Sequence, residues 1–259
     1  MRYLGGKART SRRIVAAISE HAFQHGTPTR WVEPFMGGGS VMVEASRLGV
    51  FESVHASDID PLVVAYWSAI RDGWVPATSV TGDEYVAVRN NPEVYPAEHV
   101  AHVAYNCSFG GKRWGGYARS MKADGVTPRN HADEASRRDS AASHGIGNAR
   151  ITCADYSAAL AVAGTSALVY CDPPYADTTG YKTGAFDHAS FWASVQAAAD
   201  RGALVYVSEY ACPGHVSADV VWSNVQSKSV RGGSGDRPRT TDNVFFIRPC
   251  GSIEEEIYV

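Results

Sequence analysis

The amino-acid sequence predicts an α/β protein: a doubly wound sheet interrupted by a smaller, mainly helical insertion that carries a β-hairpin. Three observations predict it. Short apolar runs suited to buried strands alternate with helix-period patterns over residues 11–73 and again from residue 149. That alternation lapses between Trp74 and Asn148. The acid-rich and glycine-rich motifs fall where predicted strands end, and ligands of doubly wound sheets bind at the carboxyl ends of strands. A chain of 259 residues suits one large α/β unit with an insertion. The expected division is a main α/β domain of residues 1–73 and 149–259 and an inserted domain of residues 74–148.

Ser11 can cap a first helix whose apolar positions Ile14, Ile18 and Ala22 recur at helical spacing, and Gly26 stands where it would stop. Thr29–Val32 reads as a buried strand, Gly37–Gly49 as a glycine turn into a helix, and Ser53–Ser57 as a second strand. Pro61 suits a helical first turn, and the pattern Pro61–Gly73 continues from it. Within 74–148 the signals are short helical pieces, aromatic residues and a glycine-rich basic stretch. Regular rhythm resumes with strands at Ala149–Cys153 and Ala167–Cys171, a helix near His188–Asp200, then strands at Ala203–Ser208, Asp219–Trp222 and Asn243–Ile247. Arg231–Arg239 reads as a loop.

Hydrophobic residues make up 44% and charged residues 20%, an ordinary globular balance, and no apolar run approaches the roughly 20 residues of a membrane helix. No apolar core follows the basic N-terminal residues as in a secretory segment, so the expected compartment is the cytoplasm. Five cysteines without a C-x-x-C pair point to neither a disulfide framework nor a zinc site. Net charge is only −3, but basic residues cluster. Arg2, Lys7, Arg9, Arg12 and Arg13 crowd the start, Lys112–Arg138 holds seven basic residues against three acidic, and Lys228–Arg239 four against one. Such patches suit a polyanion. Glu254–Glu256 carries acid away from them. The pairs His21/His25 and His99/His102 read as helix surface rather than as metal ligands.

E-P-F-M-G-G-G-S-V (Glu33–Val41) sets an acid, an aromatic ring and three glycines between the first strand and its helix. Glycine lets a ligand approach the backbone. The stretch is not G-x-G-x-x-G, and Glu33 would repel phosphate and attract a cation, which disfavours a nicotinamide dinucleotide. In A-S-D-I-D (Ala56–Asp60), Asp58 is placed to accept hydrogen bonds from ribose hydroxyls. In A-D-Y, Asp155 could accept from an adenine amino group, with Tyr156 against the ring. The structural alternative is that both acids cap helices. S-adenosylmethionine offers a ribose, an amino group and a sulfonium without phosphate, and fits this set.

The run Ala167–Tyr170 exits through C-D-P-P-Y (Cys171–Tyr175). Two prolines end the strand and stiffen the backbone. Asp172 and the Pro173 carbonyl can then accept both N–H bonds of a planar amine, favouring a pyramidal nitrogen whose lone pair is aimed. Tyr175 can stack on a nucleobase extruded from a duplex. An ordinary tight turn is the alternative.

These motifs, in this order, resemble the Dam-type (alpha-group) site-specific DNA adenine N6-methyltransferases over nearly the whole chain. The resemblance implies a Rossmann-like S-adenosylmethionine-dependent methyltransferase sheet, with Asp172, Pro173, Pro174 and Tyr175 as the catalytic tetrad. R-Y-L-G-G-K (Arg2–Lys7) is similar to the family's N-terminal cofactor motif. The implied cofactor pocket is Tyr3, Gly6, Lys7, Glu33, Phe35, Gly37, Gly39, Ser40, Asp58, Asp155 and Tyr156. Asn106–Arg119 is similar to the family's recognition segment, which implies Asn106, Lys112, Arg113 and Arg119 at the DNA, joined by Tyr181, Lys182 and Arg239. Thr178–Thr183 and Val207–Tyr210 resemble segments near the target base. The implied partner is double-stranded DNA, met by a monomer in the cytoplasm of a bacterium or a phage-infected host, as in restriction-modification. A methyltransferase for an RNA or protein amino group, or an inactive DNA-binding relative, stays open at this level.

Overall fold

The computed structural model describes residues 1–175, 186–227 and 239–251. In chain order the elements are α1 (Ser11–His25), β1 (Arg30–Glu33), α2 (Ser40–Leu48), β2 (Ser53–Asp58), α3 (Pro61–Arg71), α4 (Gly82–Asn90), α5 (Ala97–Ala101), α6 (His131–Ser143), β3 (Arg150–Cys153), α7 (Tyr156–Val162), β4 (Ala167–Cys171), α8 (His188–Asp200), β5 (Leu204–Glu209), β6 (Ala218–Ser227) and β7 (Arg239–Ile247). The strands form one sheet in the order β3-β2-β1-β4-β5-β7-β6. β2 pairs with β3, β1 with β4 and β4 with β5 in parallel, whereas β7 runs antiparallel to β5 and β6. This is a mixed α/β sheet in which successive strands lie first on one side of β1 and then on the other.

The chain divides into two compact units, Met1–Arg12 with Met36–Ala154, and Arg13–Phe35 with Asp155–Val259. In the first unit, local chemistry starts the helices. Asp60 accepts the Leu62 N–H ahead of Pro61, Thr81 accepts the Glu84 N–H, and Asn130 accepts the Asp133 N–H. Val80, Tyr85, Val88, Val100, Val103, Cys107 and Ala132 form an apolar cluster there. In the second unit β4 is buried at every residue and packs with Phe191, Val195 and Ala198 of α8. Helix α8 is capped by Asp187, which accepts the Ser190 N–H and hydroxyl.

Three expectations change. Residues 74–148 contain no paired strands; in place of one β-hairpin stand two isolated antiparallel bridges, Ser108 with Tyr117 and Met121 with Pro128. Gly110, Gly111, Gly116 and Gly125 within these turns adopt positive φ, which breaks a ladder after one rung. Helix α7 was not legible, because Y-S-A-A-L-A-V is one short alanine-rich stretch with a single buried residue, Leu160. His102 is fully buried rather than on a helix surface. Its Nε2 lies 3.0 Å from the Ala77 carbonyl and its Nδ1 3.3 Å from the Asn106 amide, and burial pushes its pKa down to about 4. It is therefore neutral, donating at Nε2 and accepting at Nδ1.

Candidate active site

In the second unit the register brings several motifs to one end of the sheet. Val32 of β1 is level with Val169 of β4, so Glu33 and Phe35 leave β1 alongside the exit of β4 into Asp172–Tyr175. Cys171 is level with Val207 of β5, and Glu209 of β5 with Asn243 of β7, which sets Glu209, Tyr210 and Asp242 at the same end. Glu33 is 2% exposed and accepts from Trp31 Nε1 at 3.2 Å. A buried acid beside this exit suits a cation and not a phosphate. Phe35 stacks on Tyr156 with ring centroids 5.3 Å apart, and Phe186 and Phe191 complete the aromatic wall.

Asp155 does cap α7: its Oδ1 accepts the Ser157 N–H at 2.9 Å and hydroxyl at 2.5 Å. Both bonds fall on one oxygen, so Oδ2 is left for an amino donor, and capping and ligand binding are compatible. The structural alternative fails for Asp58, because the cap of α3 is Asp60.

Pro173 is buried, while Asp172, Pro174 and Tyr175 are half-buried. The Tyr175 hydroxyl donates to Asp242 Oδ1 at 2.5 Å, and its ring lies perpendicular to Tyr210 at 4.6 Å. Burial first, then the carboxylates of Asp172 and Asp242, pushes the Tyr175 phenol far above its ordinary range, so it stays protonated.

In the first unit the glycine turn is organised by Asp58. Oδ2 accepts the Gly37 N–H at 2.8 Å and Oδ1 accepts the Asp60 N–H at 2.9 Å. Burial raises the Asp58 pKa to about 6 despite these bonds. Held by backbone N–H groups, the carboxylate is an acceptor of the kind that suits the hydroxyls of a ribose. Gly37 has φ 45°, and Gly39 has φ 69° at the start of α2. A Cβ on Gly39 would fall 2.5 Å from Cζ2 and Nε1 of Trp67, so the turn is seated on a buried indole. Tyr3 lies over this turn, with its ring carbons 3.1 and 3.3 Å from where a Gly37 Cβ would be, and it stacks on Tyr105 at 5.4 Å. Gly6 closes a tight turn through its N–H to the Tyr3 carbonyl, Lys7 is buried, and Ser40 opens α2. Within this unit, Asp58 and the glycine turn together fit a nucleoside.

The basic stretch of the first unit divides by exposure. Lys112, Arg113 and Arg119 are exposed. Arg113 pairs with Asp60 at 3.1 Å, which also accepts the Tyr105 hydroxyl. Arg119 lies 6.0 Å over the Tyr117 ring. Asn106 does not face outward as expected. It ends a π-helical turn, His102–Asn106, is fully buried, accepts the Arg2 N–H at 2.7 Å, and donates to the Tyr66 hydroxyl at 3.1 Å. An amide held this way shapes the segment rather than reading bases. Tyr181, Lys182 and the segments Thr178–Thr183 and Arg231–Pro238 lie outside the described residues, as does the side chain of Arg239.

Two residues escaped the sequence reading. In the sequence Asp60 stands only within the ribose motif, and Asp242 lies in no motif. The signal for Asp242 was an acid inside a run ending in buried Val244–Ile247, a position that β-rich strands seldom give to a charge.

The family model for D12 class N6 adenine-specific DNA methyltransferases matches residues 3–219. The chain belongs to this family. It is accordingly a methyltransferase, and S-adenosylmethionine is its methyl donor. No curated protein matches the chain. Among solved structures, the rRNA methyltransferase aviRa from Streptomyces viridochromogenes is 18% identical, with 91% of this chain and 84% of that one covered and a TM-score of 0.41. The putative methyltransferase yhhF from Escherichia coli is 14% identical over 91% and 86%, with a TM-score of 0.35. Precorrin-6y C5,15-methyltransferase from Geobacter metallireducens is 10% identical over 91% and 85%, with a TM-score of 0.33. Among the described residues no helix is long and apolar enough to cross a membrane.

Proposed function

We propose that this protein is a site-specific DNA adenine N6-methyltransferase acting on an adenine flipped out of duplex DNA, with residues 74–148 as the inserted target-recognition domain and residues 1–73 and 149–259 as the catalytic domain. It acts as a monomer in the cytoplasm of a bacterium or a phage-infected host. The observation that carries the reading is the exit of buried β4 into D-P-P-Y beside the acid and aromatic ring that leave β1.

Bound S-adenosylmethionine supplies an electrophilic methyl group on a sulfonium. Asp58 receives its ribose hydroxyls, Asp155 Oδ2 its adenine amino group, and Phe35 and Tyr156 an apolar face for its ring. Glu33 stabilises positive charge. Tyr3, Gly6, Lys7, Gly37, Gly39 and Ser40 shape the backbone cradle.

The Asp172 carboxylate and the Pro173 carbonyl accept the two N–H bonds of the target amine, which disfavours delocalisation of its lone pair into the ring and aims it. Asp172 also takes the proton the nitrogen gives up. Pro174 locks this geometry. Tyr175, neutral at any working pH, stacks on the base and offsets part of the few kcal/mol lost on unstacking. Lys112, Arg113 and Arg119 meet phosphate or base edges, and Tyr181, Lys182 and Arg239 are further candidates for DNA contact, while Asn106 supports the recognition segment from within.

The test is transfer of labelled methyl from S-adenosylmethionine to plasmid DNA, with the product base identified by mass spectrometry and its context by modified-base sequencing. N6-methyladenine in one sequence context is expected. Label in RNA or protein and none in DNA would overturn the substrate.

A further inference from the structure

In the second unit, strand β7 brings a buried carboxylate to the tyrosine of the D-P-P-Y turn. Asp242 is 2% exposed and pairs along the backbone with Asn224 of β6. It lies one residue beyond the pairing of Asn243 with Glu209, which puts it at the carboxyl end of β5 although β7 runs the opposite way. Its Oδ1 receives the Tyr175 hydroxyl at 2.5 Å, a short charge-assisted bond.

The next residue acts on the main chain of the neighbouring tyrosine. Asn243 Nδ2 donates to the Tyr210 carbonyl at 3.0 Å, and Asn243 is itself oriented by the Ser223 hydroxyl at 2.7 Å. Tyr210 stands perpendicular to Tyr175 at 4.6 Å. Asp242 thus holds the Tyr175 ring, and Asn243 the main chain of Tyr210, at the exit of β4. Stacking on a base needs only a flat face, which phenylalanine also provides. A hydroxyl at position 175 serves instead as a tether, and it never ionises.

We infer that Asp242 is a positioning residue for methyl transfer, fixing the plane of Tyr175 through its hydroxyl, while Asn243 anchors the main chain of Tyr210 beside it. The inference rests on the assignment of Tyr175 to the base-stacking role. Without the tether the ring can tilt and slide, and the stacked base moves with it relative to Asp172. Misplacement by about 1 Å can cost on the order of a hundredfold in rate. Loosening one ring edge is a smaller disturbance, and about a tenfold loss is expected on the same scale.

A double-mutant cycle tests this on single-turnover methyl transfer to plasmid DNA, comparing D242A, which removes the acceptor, Y175F, which removes the donor, and the pair. Each single variant should slow transfer about tenfold, and the pair no further than the slower single, because the tether is already lost in either single variant. Affinity for S-adenosylmethionine without DNA should stay at the wild-type value, a readout that general loosening of the fold would move. If D242A does not fold, Y175F cuts the same bond while keeping the ring and decides alone. Wild-type rates in Y175F, or a pair whose loss is the product of the two singles, would overturn the inference. If the wild-type protein labels RNA or protein but not DNA, the substrate reading fails instead. The same cycle on the labelled substrate then decides the tether, which acts on the ring and not on the base.

Discussion

Gly39 offers the sharpest quantitative test of how the cofactor turn is held. An alanine there meets two penalties. Its φ of 69° lies in the left-handed region, which costs an L side chain roughly 1–2 kcal/mol. Its Cβ would also stand 2.5 Å from two atoms of Trp67, which is 1% exposed and has no open side to retreat into. Overpacking of this kind costs typically about 1–3 kcal/mol. The total is roughly 2–5 kcal/mol, and at about 2–4 °C per kcal/mol for a chain of this size a loss of 3 kcal/mol lowers the melting temperature by roughly 6–12 °C. Gly110 supplies the control, since its φ is 64° but nothing lies within 4 Å of a built Cβ. G110A should carry only the strain, roughly 1–2 kcal/mol. Thermal and urea unfolding of both variants measure the difference. If G39A unfolds no more easily than G110A, the seating of the glycine turn on Trp67 is wrong.

Three further outcomes follow from the site. Asp172→Ala should abolish methyl transfer, by at least about a hundredfold on the scale of a lost preorganised acceptor, while calorimetry still detects S-adenosylmethionine; loss of both together would make Asp172 structural. Arg113→Ala should weaken DNA binding and reduce the slope of log affinity against log salt by about 1, whereas an unchanged slope removes Arg113 from the DNA surface. Cofactor affinity should fall as pH drops through about 6, because the carboxylate of Asp58 is protonated there, and D58N should erase that dependence. Unfolding is the poorer readout in this window. The raised Asp58 pKa makes folding more favourable toward low pH, an effect lost as pH rises to about 6, whereas the depressed His102 pKa makes folding less favourable as pH falls toward about 4. The two oppose each other, so calorimetric titration from pH 5 to 8 is the decisive assay.

Much of the fold was legible because its signals are local. The limits of β4 follow from A-L-V-Y-C and its exit into two prolines, all written within a few residues. The candidate motifs were legible for the same reason: glycines, acids and prolines at strand ends constrain the backbone next to them. The insertion was less so, because its glycine-rich turns close by single rungs that no periodicity announces.

The sequence by itself determined the alternating elements, the family motifs and the acids and aromatic residues offered at the strand ends. Only the tertiary structure decided that Asn106 turns inward, that Asp60 gathers Tyr105 and Arg113, and that Asp242 on β7 ties down Tyr175 across 67 residues of chain. The physical reason is the range of the interactions. Propensity, caps and turns act over a few residues, whereas a buried hydrogen bond takes its partner from whichever strand the sheet sets beside it, and an antiparallel strand inserted out of order brings that partner from far along the chain.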